Sequence, residues 1–304
     1  MATRSPTAKH AYWGPVSVLP LGDPRLEVGD TAYLISAEAL YVFGATGWKA
    51  VGGSTPDRVY FVSEGGNDID NNGSFLSPFA TISAAILAID GNADANNPYT
   101  VQVGPGVYAE ANLSIDAYVS IQGSNNTQID ATSITLNSGS NVYNTIFNTS
   151  DIIIGPASSV VLQDTTFVSN TGTTITNGGD LYIYGSTGQT AVAITGGTVV
   201  EQSNSYNQTY SLTDVTNYSA TANAYLNVVI DNSTTNIVGS TFNGTATASN
   251  NAVLNIGSSS MTGNITATDS IVNVSGSYLT GEVVSSGGSF SVGTVSYTHL
   301  RATR

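Results

Sequence analysis

Asp130 and Asp151 stand 21 residues apart in a stretch of short β-type runs. Two carboxylates ~5–5.5 Å apart are what a retaining glycoside hydrolase uses, one as nucleophile and one as acid and base. Aspartates one repeat apart on stacked strands would approach that separation. Asp151 and Asp164 offer a second pairing across a turn. The plainer reading is that Asp is a common turn former, so no catalytic residue is assigned and Asp130 and Asp151 stand as candidates only. Asp68, Asp70, Asn72 and Gly73 spell the opening of a calcium loop, D-x-D-x-N-G. Its closing Glu would fall at position 79, where Phe79 stands. No cofactor is assigned, and Asp68, Asp70 and Asn72 are the candidate calcium ligands. Tyr182, Tyr184 and Tyr206, together with Tyr143 and Tyr218, are candidates for a sugar-binding stripe. The same tyrosines also suit ordinary strand packing.

The charges narrow the chemistry. Between Arg58 and Arg301 there is no Lys or Arg, and the only His of that interval is His299. Lyase chemistry needs a base beside a carboxylate and cations to hold that carboxylate, so no lyase is expected. The chain carries a net charge of −14, with 9% charged residues, which argues against a nucleic-acid partner. It has no Cys, which excludes disulfides, thiolate metal sites and a thiol nucleophile. No apolar run reaches the ~18 residues of a membrane span, so no membrane insertion is expected. Met1 to Pro20 lacks the apolar core of a secretory signal.

The elements that would position these residues are mostly strands. Val59-Tyr60-Phe61-Val62 is β-rich, and Gly65 to Gly73 is a turn-forming run. Ser77-Pro78 reads as an N-cap and first helical position, and Phe79, Ile82, Ala85, Ile86 and Ile89 share one helical face ended by Gly91. Beyond Asn97 short strands recur between Gly, Asn, Ser and Asp. Residues 236–244, 255–263 and 273–281 are copies offset by 19 and 18, and Phe167 follows Phe147 by 20. Such a period without helices predicts stacked coils, each covering its neighbour's apolar face. Ile237, Ile256 and Val274 should stack inward, and Asn236, Asn255 and Asn273 should form an amide ladder at turns. About ten coils at ~4.8 Å give a rod of ~45–50 Å.

The run Tyr60 to Gly73, with Ser77-Pro78-Phe79-Ala80-Thr81-Ile82 and Ala85, closely resembles the N-terminal entry of the pectate-lyase-like, right-handed parallel β-helix superfamily. Val101-Gln-Val-Gly-Pro-Gly-Val-Tyr108 resembles that superfamily's first full coil. The resemblance implies an all-β solenoid whose open N-terminal mouth is capped by the helix at 78–90. The superfamily holds lyases, hydrolases and non-catalytic fibres.

Gly29-Asp30-Thr31-Ala32-Tyr33, Leu40-Tyr41-Val42-Phe43 and Gly47-Trp48-Lys49 resemble the small β modules of phage tail and head fibres. Four units are therefore expected: an attachment module at 1–57, the entry strand and capping helix at 58–98, the parallel β-helix at 99–295, and a tail at 296–304. Ser296 to Arg304 resembles the peptide encoded by translated sequencing-adapter DNA, which implies that the natural chain continues. The combined expectation is a virion appendage, a tail spike or fibre. It would be a homotrimer that joins baseplate or capsid proteins through its head and binds host cell-surface polysaccharide without cleaving it. A spike depolymerase using an Asp pair and a bacterial surface adhesin, extracellular rather than virion-borne, are the alternatives.

Overall fold

The computed structural model describes residues 58–294 without a break, together with 12–17, 19, 24–34, 39–44, 47–51 and 296–297. The chain is a parallel β-solenoid of about ten coils. Four further strands precede it: β1 (Tyr12–Val16), β2 (Thr31–Leu34), β3 (Ala39–Gly44) and β4 (Gly47–Val51), which form one sheet in that order. β2 and β3 pair antiparallel as a hairpin, with Tyr33 opposite Leu40. Trp48 is half-buried against Ala32 and lies edge-on to Phe43.

β5 (Val59–Val62) opens the solenoid, and α1 (Ile82–Ile89) follows. The helix is shorter than the sequence suggests. Thr81, not Ser77, is the N-cap, its hydroxyl accepting the Ala84 N–H. Ser77 instead closes a small turn with Ser74, and Phe79 bridges to Val62 as a strand would. Asp90 ends the helix in the left-handed conformation, one residue before Gly91. The apolar face is as expected: Phe79, Ile82, Ala85, Ile86 and Ile89 are buried, against β5 and the coils that follow.

Alternation of apolar and polar residues sends one set inward, and parallel pairing stacks that set coil upon coil. One inward column runs Val101, Ile121, Val142, Leu162, Ile183, Glu201, Ala220, Ile237, Ile256, Val274. The stack of Ile237, Ile256 and Val274 is therefore as expected, each at most 1% exposed. Burying such a side chain stabilises the fold by about 1.5–3 kcal/mol. A second column is aromatic: Phe147, Phe167, Gly188, Tyr206, Tyr225, Phe242. Coil length varies from 17 residues (Ala220 to Ile237) to 23 (Ile152 to Ile175), because loops of different length join the same strands. The stacking continues through Ser296–Tyr297, which pair with Tyr278–Leu279, so the repeat runs past the boundary expected at 295.

One corner carries its own ladder. Gly185, Ser203, Ala222, Gly239, Ser258 and Gly276 all have φ between 48° and 62° there. The next residue in each coil is a buried Ser or Asn whose side-chain oxygen accepts an N–H from the coil before. Ser186 N–H donates to Asn204 Oδ1 at 2.8 Å, Asn204 N–H to Asn223 Oδ1 at 2.9 Å and Asn223 N–H to Ser240 Oγ at 3.2 Å. These bonds satisfy backbone donors that the corner removes from both water and the strand ladder.

Candidate ligand-binding face

The strands that carry the first inward column present their alternate residues to solvent. One outward column stacks Gln102, Gln122, Tyr143, Gln163, Tyr184 and Gln202 in successive coils. The column beside it includes Asn141, Tyr182, Asn236, Asn255 and Asn273. Tyr182 and Tyr184 project from strand Asp180–Tyr184, two residues apart and therefore on one side of it. Their rings are stacked with centroids 6.4 Å apart. Tyr143 lies two coil steps from Tyr184, ~10 Å along the rod. Among the described residues neither column holds a charged side chain, while Asp164 and Asp180 flank the tyrosines at the edges. The result is an uncharged surface of phenol, amide and apolar groups, with Val161 and Val200 on either side of Tyr182 in its column, held on hydrogen-bonded strands.

The asparagine ladder exists, but not at turns. Asn255 Nδ2 donates to Asn236 Oδ1 at 2.9 Å and Asn273 Nδ2 to Asn255 Oδ1 at 2.8 Å, in mid-strand on the outward face. The polar ladder at a corner is the Ser/Asn series through Asn204 and Asn223.

Tyr206 is not part of the outward face. It is 2% exposed in the aromatic interior column, and its hydroxyl donates to Glu201 Oε1 at 2.6 Å. Tyr218 is buried as well. Both follow the inward phase of their strands, which Tyr182 and Tyr184 do not.

Asp130 and Asp151 do not stack. The register sets Asp130 opposite Asn148 and Asp151 opposite Ser133. The local coil is 18 residues long, so a spacing of 21 overshoots by three residues, ~10 Å along a strand. The register also passes over Ser150 and Thr132 between them, and the inward phase changes there from Phe147 and Thr149 to Ile152 and Ile154. The two carboxylates therefore point outward on either side of a corner. Asp130 Oδ1 accepts from Gln128 Nε2 at 2.6 Å. Asp164, the other possible partner of Asp151, occupies a left-handed corner position in the coil that follows.

The side chains of Asp68, Asp70 and Asn72 are taken up by groups of the turn and of the start of α1. Asp68 Oδ1 accepts the N–H groups of Ala80 (2.6 Å) and Thr81 (3.1 Å), and Asp68 Oδ2 accepts the Thr81 hydroxyl at 2.8 Å. Asp70 Oδ2 accepts from Asn67 Nδ2, and Asn72 Oδ1 accepts the Ser74 N–H. Asp68 thus holds the start of α1, where the helix dipole favours negative charge. Two groups that sequence reasoning passed over are buried carboxylates: Glu110, 7% exposed and bound to α1, and Glu201, 1% exposed inside the rod. An acidic residue at an inward phase of the repeat was the available signal for both.

No family model, curated protein or solved structure matches the chain.

Proposed function

We propose that the protein is a structural and adhesive rod of the pectate-lyase-like β-helix type, serving in a virion appendage such as a tail spike or fibre. It binds a neutral host-surface polysaccharide without cleaving it. The observation that carries this reading is the outward surface bearing Tyr143, Tyr182 and Tyr184 among stacked Gln and Asn. Aromatic faces cover the apolar side of a sugar ring, and amides hydrogen-bond its hydroxyls. The absence of Lys and Arg from 59–300 leaves nothing to neutralise a uronic-acid polymer, and the 16 acidic residues of that interval repel one. It contains no His before His299 to move protons near pH 7. The separation of Asp130 and Asp151 removes the geometry that favoured a retaining hydrolase.

The head at 1–57 is proposed to join the particle, with the chain acting as a homotrimer. The test of the binding surface is retention of neutral and uronic-acid polysaccharides on immobilised protein. Neutral polymers should be retained by the parent and lost in the Tyr182→Ala/Tyr184→Ala variant. Equal retention by both proteins refutes the site.

A further inference from the structure

Glu201 occupies an inward position between Ile183 of the coil before and Ala220 of the coil after. Among the described residues it is the only acidic side chain in that column. No Lys, Arg or His occurs between residues 59 and 298, so no cation of the rod accompanies it. Its environment consists of donors. Oε1 accepts the hydroxyls of Tyr206 (2.6 Å) and Tyr210 (2.7 Å). Oε2 accepts the Tyr218 hydroxyl (2.6 Å), Asn223 Nδ2 (2.9 Å) and the Tyr225 hydroxyl (3.3 Å). Tyr218 and Tyr225 also bond to each other, and Asn223 Nδ2 donates to Tyr225 Oη at 2.7 Å. All six residues are buried.

The donors divide between two coils. Tyr206 and Tyr210 lie on strand Ser205–Thr213, which continues the coil of Glu201. Tyr218, Asn223 and Tyr225 belong to the coil stacked on it. Two small residues make room. Ala220 lies directly over Glu201, and Gly188 lies under Tyr206, where an added Cβ would come within 2.6 Å of the Tyr206 ring. Asn223 departs from Ser240, Ser259 and Ser277 in the corner ladder. Its Oδ1 makes the ladder bond as a serine hydroxyl would, and its Nδ2 reaches inward to the carboxyl group.

A solenoid has a particular weakness in register. A slip of two residues between adjacent strands keeps every apolar side chain on the inner face, so an aliphatic column alone resists it weakly. We propose that Glu201, its four tyrosines and Asn223 form a register lock that fixes the alignment of strand Asn217–Thr221 on strand Thr198–Gln202. A two-residue slip moves Tyr218 and Asn223 by ~7 Å and strands a carboxyl group in an apolar interior. A buried polar group that selects one alignment is a recognised use of such groups.

The chain has no cysteine, so register can be read by pairwise crosslinking. Val200 is opposite Ser219 in the structure, and both project outward. A Val200→Cys/Ser219→Cys pair reports the observed register at ~4.8 Å. A Gln202→Cys/Ser219→Cys pair reports the two-residue slip, because in the observed register its Cα atoms are ~8 Å apart, beyond disulfide reach. Each pair is placed in the full-length parent and in an apolar version. That version carries Glu201→Leu, Tyr206→Phe, Tyr210→Phe, Tyr218→Phe, Tyr225→Phe and Asn223→Ser, leaving no orphaned polar group from the cluster. Both proteins are refolded from denaturant under mild oxidation. The parent should form the first crosslink and not the second. In the apolar version the slipped crosslink should rise about tenfold or more, the shift that loss of a 1.4 kcal/mol preference produces. A folded apolar version that forms only the observed crosslink overturns the lock. An apolar version that forms no rod also overturns it, because the cluster is then required for folding itself and not for choosing the register.

Discussion

Glu110 Oε1 accepts the Ile82 N–H at 2.7 Å, so the first turn of α1 is fastened by a carboxylate 28 residues further along the chain. The same side chain accepts the Ser83 hydroxyl through Oε2. With Asp68 on Ala80 and Thr81, two carboxylates thus meet the otherwise unpaired N–H groups at this helix end. Glu110→Gln should lower stability by about 1–2 kcal/mol and speed amide exchange across residues 82–89 more than elsewhere. Urea unfolding and residue-resolved hydrogen exchange check this. Uniform acceleration along the rod would argue against a local anchor.

The cap itself is tested by Ile86→Asp. Ile86 is 7% exposed, and an unpaired carboxylate there should cost more than about 3 kcal/mol. An unchanged melting temperature rejects the helix as a cover for the first coils.

Asn255 sits between Asn236 and Asn273 and serves both as donor and acceptor. Asn255→Ala should cost about 1 kcal/mol. Asn255→Asp should cost more than Ala at neutral pH, because a carboxylate oxygen then faces Asn236 Oδ1. Urea midpoints at one pH rank the two variants, and an Asp variant as stable as the parent contradicts the amide ladder.

The legible part of this molecule was its period. The copies at 236–244, 255–263 and 273–281 give the inward stack of Ile237, Ile256 and Val274 directly, because strand side chains alternate. Phase around the coil was not legible from spacing alone. Asp130 and Asp151 differ by a plausible coil length, yet extra residues enter at different loops, so a single period fails locally. Tyr206 and Tyr184 look alike in the sequence, and only the strand phase puts one inside and the other outside. Ser77-Pro78 satisfies the local rule for a helix start, whereas the long-range carboxylates Asp68 and Glu110 select Thr81 as the start of α1.

Gly188 makes space in the aromatic column. Gly188→Ala should cost about 1–3 kcal/mol and change the near-ultraviolet signal of the tyrosines, since the new methyl group meets the Tyr206 ring. A variant with parental stability and spectrum contradicts the packing described.

Burial pushes the Glu201 carboxyl above the usual carboxylate range, while the hydroxyls of Tyr206, Tyr218, Tyr210 and Tyr225 pull it down. Burial also pushes these four tyrosines well above their ordinary value, aided by the neighbouring carboxylate, so they stay protonated. A raised folded value means that the unfolded chain loses its proton first, at about 4.3. The stability that Glu201 contributes is therefore present in full below that pH and declines as pH rises toward the folded value. Relative to Glu201→Gln, the parent should weaken over this window. Urea midpoints of both proteins from acid to neutral pH measure it, and a parent that strengthens relative to the variant would show that the hydroxyls outweigh burial.

The outward face with Tyr182 and Tyr184 is proposed to hold sugar and leave it intact. Purified protein incubated with capsular or lipopolysaccharide preparations, with reducing ends followed over time, tests this. Polysaccharide should be bound through Tyr182 and Tyr184 with no new reducing ends. Release of oligosaccharides that disappears in Asp130→Asn or Asp151→Asn would contradict it.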